Sequence, residues 1–259
     1  MAYVMNLLEA KGISKCFGGV QALHNVSLTV EPASIVGLIG PNGAGKTTFF
    51  NVLTGVYRPD EGTLTFAGQP LPAGQPHRIA RAGLVRTFQN IRVFPQMSAL
   101  ENVMVGFHGR TRCGLLGAWL NSSAVRREER EIREGAQELL KWVGLQEMAQ
   151  RVAGTLSYGA QRRLEIARAL ATGPRLLALD EPVAGMNGTE RGHMAELILR
   201  IRAAGIALLV IEHDVRWIAQ LCERITVLNY GQGLAEGTPA EIQANPQVIE
   251  AYLGHPSHG

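Results

Sequence analysis

The chain has 259 residues, 46% of them hydrophobic and 18% charged, with a formal net charge of +3. Length and composition exclude a disordered polymer and leave room for one or two domains with a real core. So small a net charge argues against a nucleic-acid binder that depends on a broad basic surface, though a local patch stays open.

In chain order, the first third reads as short strands joined by turns. Leu7 to Ser14, Ala22 to Val30 and Thr63 to Phe66 are candidate strands, broken at Phe17-Gly18-Gly19, Glu31-Pro32 and Pro59-Asp60-Glu61-Gly62. The apolar run Ser34-Ile-Val-Gly-Leu-Ile39 reads as a buried strand, and Lys46 to Thr54 as a helix stopped by Gly55. Between them lies Gly40-Pro-Asn-Gly-Ala-Gly-Lys-Thr47, a complete match to the phosphate-loop pattern G-x-x-x-x-G-K-[ST]. Backbone N–H groups of such a loop converge on phosphate oxygens, and the helix N-terminus adds partial positive charge. Lys46 then reaches β- and γ-phosphates, and the Thr47 hydroxyl reaches Mg²⁺. A glycine-rich turn without a ligand is the plain alternative, and the flanking strand and helix argue against it.

Gly68 to Pro76 predicts a surface connection. From Leu100 to Val143 the pattern turns helical, with Ile132, Ala136, Leu139, Leu140 and Val143 on one apolar face. Arg126-Arg-Glu-Glu-Arg-Glu131 reads as a solvated helix face with intrahelical ion pairs. Gly109 to Asn121 has no clean period, and is either a plain interhelical loop or a contact surface for a partner. A helix follows Ser157. The strand Leu176–Asp180, a helix from Glu190 to Ala203 and the strand Ile206–Ile211 come next, an alternation that predicts a parallel sheet with helices on both faces. Ile225 to Glu236 reads as two more strands and Pro239 to Leu253 as a helical end.

Chemistry concentrates at strand ends. Asp180 and Glu181 emerge at the C-terminal edge of an apolar strand, where ligands bind in an open parallel sheet. Asp180 is placed to hold Mg²⁺, and Glu181 to face the γ-phosphate and polarise an attacking water. A bare two-carboxylate turn is the alternative, and the phosphate loop in the same chain weighs against it. His213 reads either as a satisfied core histidine or as a proton-handling group. No second His stands at i+3 or i+4, so a metal site there is rejected. In Leu156-Ser-Tyr-Gly-Ala-Gln-Arg-Arg-Leu164, Ser157 looks like an N-cap, and Gly159, unfavourable inside a helix, marks a close backbone approach. That segment is either an ordinary cap or a second anion site.

The scattered cysteines Cys16, Cys113 and Cys222 predict a reducing compartment, with no disulfide framework. No apolar run approaches the roughly 20 residues a membrane span needs, and the N-terminus has no signal-peptide pattern. The expectation is a soluble, cytoplasmic chain.

The order of these pieces resembles the ATP-binding cassette (ABC) ATPases from Leu7 to Leu253: phosphate loop, Arg86-Thr-Phe-Gln89, helices, Leu-Ser-Tyr-Gly, Asp180-Glu181, His213. The Leu-Ser-x-Gly segment is specific to that family among phosphate-loop proteins. The resemblance implies an α/β, RecA-like P-loop NTPase, a single ABC ATPase domain over residues 1–259. Its catalytic core with an antiparallel β subdomain would take residues 1–89 and 161–240, a helical subdomain 90–160, and a helical tail 239–259. Two cassettes would meet head to tail, each ATP lying between one phosphate loop and the other subunit's Leu-Ser-x-Gly helix.

Carried over residue by residue, Phe17 matches the aromatic that stacks on adenine. Gly40, Pro41, Asn42, Gly43, Ala44, Gly45, Lys46, Thr47 and Thr48 match the loop that holds ATP. Gln89 matches the glutamine that senses Mg²⁺ and the attacking water, and Ser157 and Gly159 match the contacts to the partner's γ-phosphate. Asp180 matches the metal carboxylate, with Thr47 and Gln89 as further metal contacts. Glu181 matches the catalytic base, and His213 the switch histidine, with Lys46 and Gln89 assisting catalysis. Ala184-Gly-Met-Asn187 occupies the loop that crosses the dimer interface. Two departures stand out: Leu-Ser-Tyr-Gly-Ala where the family has Leu-Ser-Gly-Gly-Gln, and Asn187 where it has Asp.

Phe17-Gly-Gly-Val-Gln-Ala-Leu, Arg86-Thr-Phe-Gln-Asn90, Ile211-Glu-His-Asp-Val215 and Val248-Ile-Glu-Ala-Tyr-Leu-Gly254 narrow the likeness to the ATPase subunit of bacterial branched-chain amino acid importers. It looks like the longer of two paralogous types, whose extended loop matches 109–121. Importers for urea or short amides and the lipopolysaccharide-export ATPase share much of this pattern. A soluble ABC ATPase acting on DNA or the ribosome is the rival class, and its usual coiled-coil insertions, zinc modules or second cassette are not in this sequence. The resemblance thus implies Mg²⁺-ATP hydrolysis by a subunit paired with a second cassette, either the same chain or a paralogue. It implies docking of transmembrane permease subunits near Arg92, Val93, Phe94 and Met97, at the inner face of the membrane. A periplasmic solute-binding protein would act indirectly, and nucleic acid is not an expected partner.

Overall fold

The computed structural model describes residues 6–110 and 123–253. The reading of Gly109–Asn121 falls almost wholly outside the described residues. The chain divides into two compact units. One comprises Met1–Arg86, Arg175–Pro182 and Ala195–Gly259, and the other Thr87–Pro174 and Val183–Met194.

The first unit holds two sheets. β1 (Leu8–Phe17), β2 (Val20–Val30), β4 (Glu61–Phe66) and β5 (Gln69–Pro70) form an antiparallel sheet in the order β2-β1-β4-β5. β3 (Ile35–Ile39), β6 (Leu84–Arg86), β7 (Leu176–Asp180), β8 (Ala207–Ile211), β9 (Arg224–Asn229) and β10 (Gln232–Gly237) form the other, in the order β10-β9-β3-β8-β7-β6. All its pairings are parallel except the β9–β10 hairpin. Every residue of β3, β7 and β8 is buried, which is why these strands read as unbroken apolar runs and not as alternating ones. The register sets Leu38 and Asp180 both beside Ile211, so three loops leave one edge of the sheet together. Helix α1 (Lys46–Leu53) buries Phe49, Phe50, Val52 and Leu53. They join Leu8, Ile13, Leu23, Leu38 and Leu209 in one apolar core that spans both sheets. Each such side chain contributes roughly 1.5–3 kcal/mol by leaving water.

The second unit is helical. It contains α3 (Ala99–Phe107), α4 (Ser123–Trp142), α5 (Tyr158–Ala171) and the start of α6 (Gly188–Ala203). The predicted face packs inward, with Ala136 and Leu140 of α4 and Val143 just past its end buried, and Ile132 and Leu139 half-buried. The polar face of α4 carries the Arg127–Glu131 pair at 2.9 Å, both partners exposed.

Short elements without a counterpart in the sequence analysis include β5, α2 (Pro76–Ala82), β6 and α7 (Val215–Ile218). Each has seven residues or fewer, too few to show a period. The helical end is two helices, α8 (Pro239–Ala244) and α9 (Pro246–Leu253), parted at Asn245 with ψ 117°. The residue before a proline is pushed out of the helical region, and Asn245 precedes Pro246. No helix among the described residues is long and apolar enough to cross a membrane.

Candidate active site

The chain leaves β3 and winds through Gly40 to Gly45 into α1. A Cβ on Gly40 would collide with the Leu228 carbonyl of β9, so only glycine lets the two backbones pass. Ala44 N–H donates to Pro41 O at 3.1 Å, and Ala44 O accepts from Gly231 N–H at 3.0 Å. These bonds fix the loop against the β9–β10 turn. Gly45 is left-handed, with φ 95°, no side chain caps α1, and its first turn carries no acid. The leading N–H groups and the positive end of the helix are thereby offered to an anion.

Lys46 is 8% exposed, and its Nζ donates to Gly40 O at 2.6 Å and Pro41 O at 2.9 Å. Burial pulls its ammonium below the usual 10.5, against the opposing pull of the Glu181, Asp180 and Glu212 carboxylates. Thr47 is exposed and Thr48 half-buried. The loop therefore combines a desolvated cation with free hydroxyls at one helix start.

Asp180 is buried at the end of β7, with Arg86 Nη2 3.7 Å from its carboxylate. Arg86 is itself held to α1 by Asn51 Oδ1 at 2.7 Å and Thr54 Oγ1 at 3.1 Å. Glu181 has φ 45°, and its N–H donates to Ile211 O at 3.0 Å. His213 lies just past β8 with its side chain 61% exposed, which removes the core-histidine alternative. Its Nδ1 is 4.0 Å from Glu181 Oε1 and 3.5 Å from Glu212 Oε2. The first unit thus gathers Lys46, Asp180, Glu181 and His213 at one strand edge. Glu212 is an addition: it is buried and accepts the His213 N–H at 3.2 Å. Its signal in the sequence was a carboxylate one step past an apolar strand, the place Glu181 holds after β7. Phe17 is 41% exposed at the end of β1, edge-on to Tyr57 with centroids 5.2 Å apart.

Gln89, Ser157 and Gly159 belong to the second unit. Gln89 is exposed. Ser157 caps α5, its hydroxyl accepting the Ala160 N–H at 3.4 Å. The close approach expected at Gly159 is to a carboxylate: a Cβ there would lie 3.1 Å from Glu190 Oε1. Asn187 and Glu190 exchange bonds at the start of α6. Asn187 Oδ1 accepts the Glu190 N–H at 3.0 Å, and Glu190 Oε2 accepts the Asn187 N–H at 3.1 Å. An asparagine oxygen caps a helix as well as an aspartate does, so Asn187 fits this local structure.

The first-unit set suits a nucleoside polyphosphate with its divalent cation. Its amides and Lys46 are groups that could meet phosphate oxygens, and the Thr47 hydroxyl and Asp180 carboxylate are hard oxygen donors of the kind that could hold Mg²⁺. Comparison with known proteins agrees. The family described as ABC transporter matches residues 23–184, and the one described as branched-chain amino acid ATP-binding cassette transporter matches residues 234–258. The chain is 47% identical over 249 residues to the high-affinity branched-chain amino acid transport ATP-binding protein BraF of Pseudomonas aeruginosa, covering 96% of this chain and 98% of that protein. A crystal structure of an ABC transporter's ATP-binding cassette in its ADP conformation superposes with a TM-score of 0.84 at 33% identity, covering 96% of this chain and 99% of that one. A cassette solved as a dimer in a post-hydrolysis state with ADP and phosphate gives 0.75 at 27% identity, covering 90% of this chain and 98% of that one. The chain belongs to the ABC transporter family, as its ATP-binding, ATP-hydrolysing cassette.

Proposed function

We propose that this chain energises an importer of branched-chain or other hydrophobic amino acids. The observation that carries the reading is the likeness of the C-terminal segment 234–258 to branched-chain amino acid cassettes, added to a likeness that runs almost the full length of the chain. The subunit would sit at the cytoplasmic face of the membrane through permease subunits, paired with a second cassette and served by a periplasmic solute-binding protein.

In this reading the Gly40–Thr47 backbone and Lys46 hold the β- and γ-phosphates. Lys46 is already desolvated, so it meets developing charge with little solvent to rearrange. Thr47, Gln89 and Asp180 are the groups that would hold Mg²⁺, which spreads the charge on the phosphate oxygens when bound. Glu181 takes a proton from, or orients, the water that attacks in line. Its backbone bond to Ile211 keeps the carboxylate near His213, which is assigned the γ-phosphate contact. Phe17 offers its exposed face to adenine. Ser157 and Gly159 complete the site of the partner cassette, whose own pair completes this one.

Uptake of labelled leucine in cells lacking this subunit tests the reading, with urea and short amides as competitors. Wild type should restore uptake and Glu181→Gln should not. Uptake that survives loss of the subunit, or competition by urea and not by isoleucine, would overturn the amino-acid assignment.

A further inference from the structure

Arg162 on α5 is fully buried. A guanidinium brings five N–H donors and a permanent charge, so its burial has to be matched by acceptors. Nη1 donates to the Phe88 carbonyl and, at 3.1 Å, to Glu165 Oε2. Nη2 donates to the Gln89 carbonyl at 2.8 Å and to the Tyr158 hydroxyl at 3.3 Å. Glu165, 2% exposed, uses its other oxygen to accept the backbone N–H groups of Phe88 and Arg92, both at 3.3 Å. The pair therefore grips the main chain around Gln89 from two sides: carbonyls by the guanidinium, amides by the carboxylate. All of these residues lie in the second unit.

The grip is more than a loop cover requires. A buried ion pair stabilises a fold no better than apolar side chains of similar volume, and often less well. What it supplies is direction, because the planar fork fixes the positions of the groups it binds. The helix that carries the pair begins at Ser157. The segment it holds runs on to Phe94 and Met97, both exposed.

We propose that Arg162 and Glu165 are positioning residues that lock the Gln89 segment to the helix of Ser157, so that a displacement of either is passed to the other. The inference rests on the roles proposed above for Gln89 and Ser157. Neither Arg162 nor Glu165 needs to touch nucleotide.

The pair is tested as a unit by Arg162→Met with Glu165→Leu, which leaves no buried charge unpaired. The four main-chain groups lose their partners, so the expected variant folds with a lowered Tm and, below it, binds ATP within about twofold of wild type. Its Phe88 and Arg92 amides exchange with solvent deuterium at least about tenfold faster, and kcat falls about tenfold with KM unchanged. Amide exchange at the wild-type rate would overturn the proposal, and so would faster exchange with kcat unchanged. Gln89→Ala and Ser157→Arg run in parallel. If both leave kcat intact, the roles of Gln89 and Ser157 have failed. If both lower it and the paired variant does not, only the present inference fails. Should the paired variant not fold, Arg162→Lys keeps the charge and loses the fork; wild-type exchange and kcat in that variant overturn the proposal equally.

Discussion

Glu181 holds a backbone angle that its residue type resists. Its φ of 45° is left-handed, which for a residue with a Cβ costs on the order of 1–3 kcal/mol and persists only where the surroundings enforce it. The enforcing bond is Glu181 N–H to Ile211 O, which ties the carboxylate to the strand end that leads to His213. Glycine adopts this angle freely, although it loses more entropy on folding, roughly 0.5–1 kcal/mol. Glu181→Gly should therefore fold with unchanged or slightly higher stability while ATP turnover is lost, the usual exchange between stability and activity at a strained site. Urea unfolding and phosphate release measure the two effects; a stability loss above about 1 kcal/mol would contradict the strain argument. The place of Glu181 just past β7 was legible in the sequence because two carboxylates at the end of an apolar strand are chemically unusual. Its angle was not, because glutamate carries no left-handed signal. Arg162 and Glu165 were illegible for a related reason: at i, i+3 on a helix they look like any solvated pair, and only the fold shows that both are buried.

Helix α3 shows how an element is fixed at its ends. Ser98 Oγ accepts the Glu101 N–H at 3.1 Å, and Glu101 Oε2 accepts the Ser98 N–H at 2.8 Å, a complete capping box. One turn in, buried Asn102 bonds the main chain of Phe94 in both directions, so the cap also steadies the exposed surface at Phe94. Ser98→Ala should cost about 1 kcal/mol of stability, as lost N-caps do, and lower Tm by a few degrees in thermal unfolding. The effect should depend on pH. The Ser98 backbone N–H first, and then its hydroxyl, hold the Glu101 carboxyl below its ordinary 4.5, and Ser98→Ala removes only the hydroxyl bond, 2.8 Å long. A folded value below the unfolded one contributes at neutral pH and is lost as pH falls through the folded value. The gap between wild type and Ser98→Ala should thus narrow as pH drops below the ordinary glutamate range; a gap that widens would show that Glu101 is not the partner. The long, strongly periodic α4 was legible, and the five-residue β3 was legible as an unbroken apolar run. The three-residue β6 was not, although it supplies Arg86 and the parallel partner of β7. The break at Asn245-Pro246 was written in the sequence, and the run of helix-compatible residues around it hid the stop.

At the scale of the whole molecule, the phosphate loop, Asp180, Glu181 and His213 lie in one unit, and Gln89 and Ser157 in the other. The proposed pairing needs a phosphate loop from one copy and a Ser157 segment from the next. Such an arrangement is isologous: two copies form two equivalent composite sites. This gives a complementation test. Lys46→Ala removes the loop cation, and Ser157→Arg blocks the segment with a bulky side chain. Each variant alone forms pairs in which both sites carry one defect, so each should be inactive. In a mixture, a mixed pair has one site with both defects and one site with none. With random mixing half of the pairs are mixed, so recovery should reach about one quarter of wild-type turnover if the sites act independently. Steady-state phosphate release from the mixture, against each variant alone at the same total concentration, reads it directly. Recovery would mean that this chain completes its own site. No recovery, with wild type active in the same assay, would mean that two copies of the chain do not complement each other in this way, and a paralogous cassette becomes the partner to seek.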